Sequence, residues 1–266
     1  MLGYMQEIWR CRYFWSSLVR MDLRTRYRRS ILGLGWSLLN PIMMTAVLCT
    51  VFCPLTGLSW TEYAPYILGG MACWQLFSSA VLQGCTAYYQ NESYIRQQPM
   101  PLAIYPLRVV LGATIHFLIA LGVVVVFVYT VPSALPTPQP LRLLLSLLPA
   151  VALFFVFAWS VAIIAATVNV FFQDTQHLSE VFLQMLFYLT PIIWKTDMLQ
   201  NRQEAISYLV MLNPISRFLD LVRVPILENR VAPIETYLTV VCCVLVTATT
   251  AALLMRRYQK RIIFHL

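Results

Sequence analysis

The chain has 266 residues, of which 59% are hydrophobic and 11% charged, with a net charge of +8 and a mean hydropathy of +0.69. Soluble domains carry roughly a quarter charged residues, and here the apolar residues come in long unbroken blocks, which excludes a soluble globular domain and points to a polytopic membrane protein. Seventeen of the nineteen basic residues are Arg, and the large clusters flank the first and last apolar blocks. Basic residues there fix orientation and meet anionic head groups; no basic stripe with interleaved aromatics is present, so nucleic acid is not an expected partner.

The pattern predicts an all-α polytopic membrane protein of six transmembrane helices, with an N-terminal amphipathic interfacial helix and re-entrant short helices between spans five and six. Residues 1–31 form the interfacial segment, helical over 6–30. Trp15, Val19, Leu23, Tyr27 and Ile31 make an apolar stripe, Arg20, Arg24 and Arg28 a parallel basic one, and Asp22 can pair with Arg26 one turn on. No cleavable leader is expected, because the first thirty residues hold seven arginines and no adequate apolar core.

The six-span region covers 32–256. Span one, about 32–55, contains Asn40-Pro41, which should loosen a turn. Span two, about 66–88, is followed by a polar stretch, Gln90–Pro101, that reads as a short exposed helix closed by two prolines. Span three, about 104–131, has Arg108 near one end and His116 inside, and a proline-rich turn, Val131–Pro140, follows it. Span four, about 143–168, ends at the polar patch Gln173, Asp174, Gln176 and His177. Span five, about 178–194, is short. Residues 195–235 are too apolar for a loop and too charged to cross; they read as a periplasmic re-entrant gate region of two short helices meeting at Asn213-Pro214, with Arg217, Asp220 and Arg223 on one helix face. Those charges either pair across a dimer, hold a pore mouth shut, or bond lipid head groups. Span six, about 236–254, leads into a basic cytoplasmic tail, 257–266.

With the N-terminus inside, inner segments hold thirteen Lys or Arg and outer segments six, which places both termini in the cytoplasm of an inner-membrane, multi-pass protein. The seven cysteines sit mostly within apolar blocks and show no metal spacing, so neither a disulfide framework nor a zinc site is expected. There is no GxxxxGK loop, no HExxH, no GxSxG and no intramembrane carboxylate pair, so no catalytic role is expected, and buried acids for proton coupling are missing as well. His116 alone is more simply a hydrogen-bonded helix neighbour than a proton relay. A transporter without a motor must borrow energy from a partner, and the obvious docking surface is the inner loop Gln90–Pro101.

The run LVRMDLRTRYRRSILGLGWSLLNPIMM, Leu18–Met44, resembles the leading segment of type-two ABC exporter permeases, nearest to those that export O-antigen, teichoic acid and related polysaccharides. The resemblance rests on Arg20, Asp22, Arg26, Tyr27, Leu32, Gly33, Trp36, Asn40 and Pro41. It continues at Ile95-Arg96 with Pro99 and Pro101, in VNVFFQDTQHL (168–178), in LTPIIW (189–194) and in LNPISRFLDLVR (212–223). Gln173 ahead of Asp174 departs from relatives, which often carry a basic residue there.

What the resemblance implies is a pore-forming permease for a lipid-linked, O-antigen-like polysaccharide, itself a homodimer working with two ATP-binding-cassette subunits. ATP and Mg would be bound by those partners, with no cofactor in this chain. Coupling to the ATPase would run through Asn91, Glu92, Tyr94, Ile95, Arg96 and Gln97 together with Arg20, Arg24 and Arg28. Trp36, Met43, Met44, Phe182, Met185 and Tyr188 would line the pore along spans one and five; Asn213, Pro214, Arg217, Asp220 and Arg223 would form the periplasmic gate. The alternatives are a type-two permease for a drug or lipid, and a non-transport membrane protein such as an acyltransferase or assembly factor.

Overall fold

The computed structural model describes residues 2–27, 35–97, 100–131, 136–195 and 213–266. Among them every regular element is helical. In chain order these are α1 (Leu2–Arg10), α2 (Arg12–Tyr27), α3 (Trp36–Thr56), α4 (Trp60–Thr86), a 3-10 turn (Tyr89–Asn91), α5 (Glu92–Gln97), α6 (Ile104–Thr130), α7 (Pro140–Phe171), α8 (Thr175–Leu189), α9 (Pro214–Leu227) and α10 (Ile234–His265). The 205–212 half of the expected re-entrant pair and Arg28 lie outside the described residues.

Among the described residues, four helices carry a stretch long and apolar enough to cross a membrane: Leu38–Leu55 of α3, and α6, α7 and α10. Helix α4, 27 residues long, has the length but not the apolarity, and α8 (15 residues) and α9 (14 residues) are shorter than the roughly 20 residues a bilayer core asks of one helix. Yet α4 is the centre of the bundle, packing against α3, α6, α7, α8 and α9. Its contact with α7 is close because both sides are small: a Cβ added at Gly84 would sit 3.0 Å from the Ala162 Cα. Small residues that let backbones approach are the usual means of helix association in lipid, where no hydrophobic force drives it. Asn169 Nδ2 adds a buried hydrogen bond to the Cys85 carbonyl, 2.8 Å.

An aromatic chain fixes the other helices around this pair. Phe77 (α4) stacks on Phe157 (α7), Phe157 and Phe154 flank Phe218 (α9), and Phe117 (α6) meets Phe154 edge-on, with centroids 4.4–6.0 Å apart. Several helix hydroxyls bond back one turn, as Thr45 to the Pro41 carbonyl and Thr114 to that of Val110, both 2.7 Å, which satisfies them within their own helix. Helix α3 ends where Gly57 takes φ +69 and its N–H returns to the Cys53 carbonyl, a left-handed cap that favours glycine.

The bundle has two distinct ends. At one, Ile8 of α1 packs with Tyr88, Ile95, Leu102, Ile104, Tyr105 and, from α10, Met255 and Ile262. At the other, Gln139 N–H and Arg142 Nη1 donate to Asn229 Oδ1 and its carbonyl, both 3.0 Å, joining the start of α7 to the turn after α9.

The N-terminal helix is two pieces rather than one, broken at Cys11, with Trp15 Nε1 bridging back to the Ile8 carbonyl at 3.2 Å. Leu18 and Val19 are buried while Arg20 and Arg24 are exposed, the two-faced arrangement an interfacial helix needs. Helix α10 continues through Arg256, Arg257, Lys260 and Arg261 to His265, because Met255 and Ile262 are buried on its inner face and carry the helix past its apolar stretch.

Candidate functional site

A groove of about 540 Å3 lies between α3, α4 and α6, within the ~300–1,000 Å3 typical of small-molecule sites. Helix α4 contributes Gln75, Ser79 and Gln83, three polar residues at i, i+4 and i+8 and therefore on one face. Helix α3 contributes Trp36 and Asn40, and α6 contributes Gly112 and His116. Among the described residues, no hydrogen bond to protein is made by the side chains of Gln75, Ser79, Gln83 or Asn40. The groove is thus lined by donors and acceptors that the fold has not used.

One end of the groove is closed by Asp22, Gln90, Asn91 and Arg108. Arg108 forks onto Asp22, its Nε and Nη2 donating to the two carboxylate oxygens, while Nη1 donates to Asn91 Oδ1. Asn91 in turn donates to the Ala87 carbonyl at 2.7 Å. The Arg108 side chain is 14% exposed and that of Asp22 46%, so the arginine half of this pair is shielded while the carboxylate half meets solvent, and the two-pronged geometry makes it stronger than a single-contact ion pair. The Asp22 carboxylate is held by a residue 86 positions away, and the Arg26 side chain expected beside it lies outside the described ones. One guanidinium therefore ties α2, α6 and the turn leading into α5.

The residues expected to meet an ATPase divide by exposure. Asn91 and Ile95 face inward, Glu92 is half-buried, and Tyr94, Arg96 and Gln97 are exposed, with Arg96 pairing to Glu92 at 2.7 Å. Arg20 and Arg24 are exposed on α2. Phe14 meets Tyr94 edge-on, centroids 5.9 Å apart, so the interfacial helix and α5 form one continuous surface. Tyr4 is wedged under it: burial pushes its phenol above the ordinary range, and the Ala103 N–H that it accepts offsets part of that rise.

Trp36, Met43, Met44, Phe182, Met185 and Tyr188 are all exposed, each 41–65%. Along α8 the exposed apolar positions Leu178, Phe182, Met185 and Leu189 recur at helical spacing, an unbroken outward stripe. Of these six, Trp36 alone also borders the groove.

At the opposite end, Arg223 is buried and stacks its guanidinium 3.7 Å over the Tyr66 ring. It donates to the Tyr66 carbonyl through Nε (3.2 Å) and Nη2 (2.9 Å), to the Pro191 carbonyl through Nη1, and to the Ile192 carbonyl through Nη2 (3.0 Å). Tyr66 Oη donates to the carbonyls of Pro191 (3.1 Å) and Trp194 (2.9 Å), and Tyr63 Oη to that of Ile193. Four successive carbonyls, 191–194, are all held. Gly70 makes this possible, since a Cβ there would stand 2.1 Å from Arg223 Nη2. Asn213 caps α9 by accepting the Ile215 N–H and donates to the Thr190 hydroxyl at 2.8 Å. Arg217 and Asp220 are half-buried, and Pro214 is exposed.

Sequence reasoning missed the Gln75–Ser79–Gln83 stripe, although a polar residue every fourth position in an apolar block is a readable signal. It also missed Gly70 and the Asp22–Arg108 pair, which only folding brings together.

The family model described as ABC-2 type transporter matches residues 13–227. A protein of Klebsiella pneumoniae described as "O-antigen export system permease protein RfbA" is 28% identical over 202 residues, covering 75% of this chain and 74% of the relative. One of Myxococcus xanthus with the same description is 26% identical over 262 residues, covering 97% of this chain and 98% of the relative.

Proposed function

The chain belongs to the ABC-2 type transporter family, and from that premise we propose that it is the permease subunit of an ATP-driven exporter of a lipid-linked, O-antigen-like polysaccharide. The observation that carries this reading is the match along 97% of the chain to a protein described as an O-antigen export permease. The groove supports it, because an otherwise apolar bundle keeps a polar surface at depth only where water or a polar cargo passes. The motor is a separate ATP-binding-cassette subunit, two copies per permease homodimer, which binds the ATP and Mg.

In this reading the subunit crosses the inner membrane six times, through α3, α4, α6, α7, α8 and α10, with α9 returning to the outer face. The arginine-rich segments orient the end bearing α1, α2 and α5 to the cytoplasm. That grouping agrees with the packing, since α1, the turn before α5, and the end of α10 share one core. Tyr94, Arg96, Gln97, Arg20 and Arg24 offer the ATPase its docking surface, Asn91 and Ile95 support it from beneath, and the exposed stripes of α3 and α8 face the pore between two copies. The buried Arg223 clamp anchors the gate region from inside the subunit.

The test is deletion of the reading frame in its native host, with complementation. Surface polymer should disappear and lipid-linked polymer should accumulate inside, and restoration should require a cassette ATPase. Unchanged surface polymer, with loss instead of resistance to an amphipathic drug, would replace the cargo assignment.

A further inference from the structure

We propose that the groove between α3, α4 and α6 is a saccharide-binding track within a single subunit, taking neutral, hydroxyl-rich sugar residues on Gln75, Ser79 and Gln83 with the face of Trp36. The proposal rests on the export reading above and adds the second and third spans to the surfaces a polymer touches.

Depth comes first. Helix α4 is packed between α6 and α7, both apolar enough to span, so the middle of α4 lies at the level of hydrocarbon. A primary amide exposed to hydrocarbon costs several kcal/mol, and Gln75 stands at that depth with the Ser79 hydroxyl one turn on and Gln83 continuing the face into the last turn of α4. Such a face persists only where it is wetted or bound.

The fold does not use these groups, as their side chains make no hydrogen bond to protein among the described residues. Each amide offers two donors and an acceptor, and the serine a donor and an acceptor. Sugar hydroxyls likewise donate and accept, so every contact can be satisfied in either sense as a chain moves past. At roughly 1.5 Å rise per residue, Gln75 to Gln83 covers about 12 Å, a line of contacts rather than a point.

Charge narrows the ligand class. The stripe is neutral, and the ion pair closing the groove, Arg108 with Asp22, is matched internally. A neutral polyhydroxylated chain fits; a fully apolar drug would leave each amide unpaired, at about 1–3 kcal/mol apiece. Trp36, 54% exposed at the groove's edge, offers an aromatic face on which the C–H side of a sugar ring can lie. Gln75, Gln83 and Asn40 are exposed too, so the groove is open along its length, as passage of a polymer requires.

The experiment uses the full permease with its ATPase partner, the native cysteines replaced and Ser79→Cys introduced. The partner is made unable to hydrolyse ATP, so that polymer stays loaded. Labelling by a small membrane-permeant maleimide is timed in cells that make the polymer and in cells blocked at the first sugar transfer. Labelling of Ser79→Cys should be about tenfold slower in the polymer-making cells, while Thr137→Cys in the turn before α7 reacts alike in both. Gln75→Leu with Gln83→Leu should abolish export at unchanged membrane abundance, and Gln75→Asn with Gln83→Asn should retain part of it. Equal, fast labelling in both strains would overturn the track while leaving the export reading intact. Equal protection in both would overturn it too, by showing a phospholipid head group in the groove. Surface polymer that survives loss of the permease would remove the export reading and this proposal together.

Discussion

Arg223 is a cation that forms no salt bridge among the described residues and is held by three backbone carbonyls and an aromatic face. Without it the Ile192 carbonyl loses its side-chain donor and that of Pro191 keeps only Tyr66 Oη, and the set of contacts needs a planar fork that lysine does not possess. Arg223→Ala should therefore destabilise the protein by about 3 kcal/mol, and Arg223→Lys should recover little of it. Gly70→Ala should cost nearly as much, because its methyl group occupies the guanidinium's place. The two changes should be strongly non-additive, since the second has nothing left to displace. Thermal unfolding of the purified single and double variants reads this directly, and simple additivity would mean that Gly70 serves another contact.

Between elements, the decisive link is Asp22–Arg108–Asn91. It fastens α2 to α6 and to the turn entering α5, so a push on either proposed docking element is delivered to a spanning helix. Removing Asp22 leaves the largely buried Arg108 guanidinium without its carboxylate, whereas removing Arg108 leaves a carboxylate that solvent still reaches, so the first change should cost more than the second. Asp22→Asn and Arg108→Gln should each lower export and uncouple ATP hydrolysis from it. The exchange Asp22→Arg with Arg108→Asp should restore more export than either of its single changes allows. Export from the exchange no better than from the singles would assign both residues to packing alone.

The helices themselves were legible in the sequence. The third span, expected over about 104–131, is a helix at Ile104–Thr130, because a predominantly apolar run of twenty-seven residues bounded by proline-rich turns leaves one solution. The beginning of α4 was less legible, since Trp60–Pro65 mixes polar, aromatic and proline residues and reads as loop until Tyr63 and Tyr66 find their carbonyls. The candidate site was half legible. The exposed faces of Trp36 and Phe182 follow from helical period, but Asp22 and Arg108 stand 86 positions apart, and no local pattern announces their meeting.

For the whole molecule the testable statement is its orientation. Single cysteines at Thr137 and Arg230, both exposed and at the end away from α1 and α2, should react with an impermeant thiol reagent added to cells with a permeabilised outer membrane. Cysteines at Thr25 and Gln97, exposed at the other end, should react only after the inner membrane is opened. Labelling of Gln97→Cys from outside would invert the arrangement. The clamp at the far end bears on how such a protein can diversify. Tyr63, Tyr66 and Arg223 grip main-chain oxygens, which every amino acid supplies, and so they are blind to the identities at 191–194. Pro191 and Ile192 are also held by burial, but the half-buried Ile193 and Trp194 can drift as the cargo changes from one lineage to another while the path of the chain stays fixed. Evolutionary variability should therefore gather on the outward-facing side chains beside the clamp, and the three residues that hold it should be the last to change.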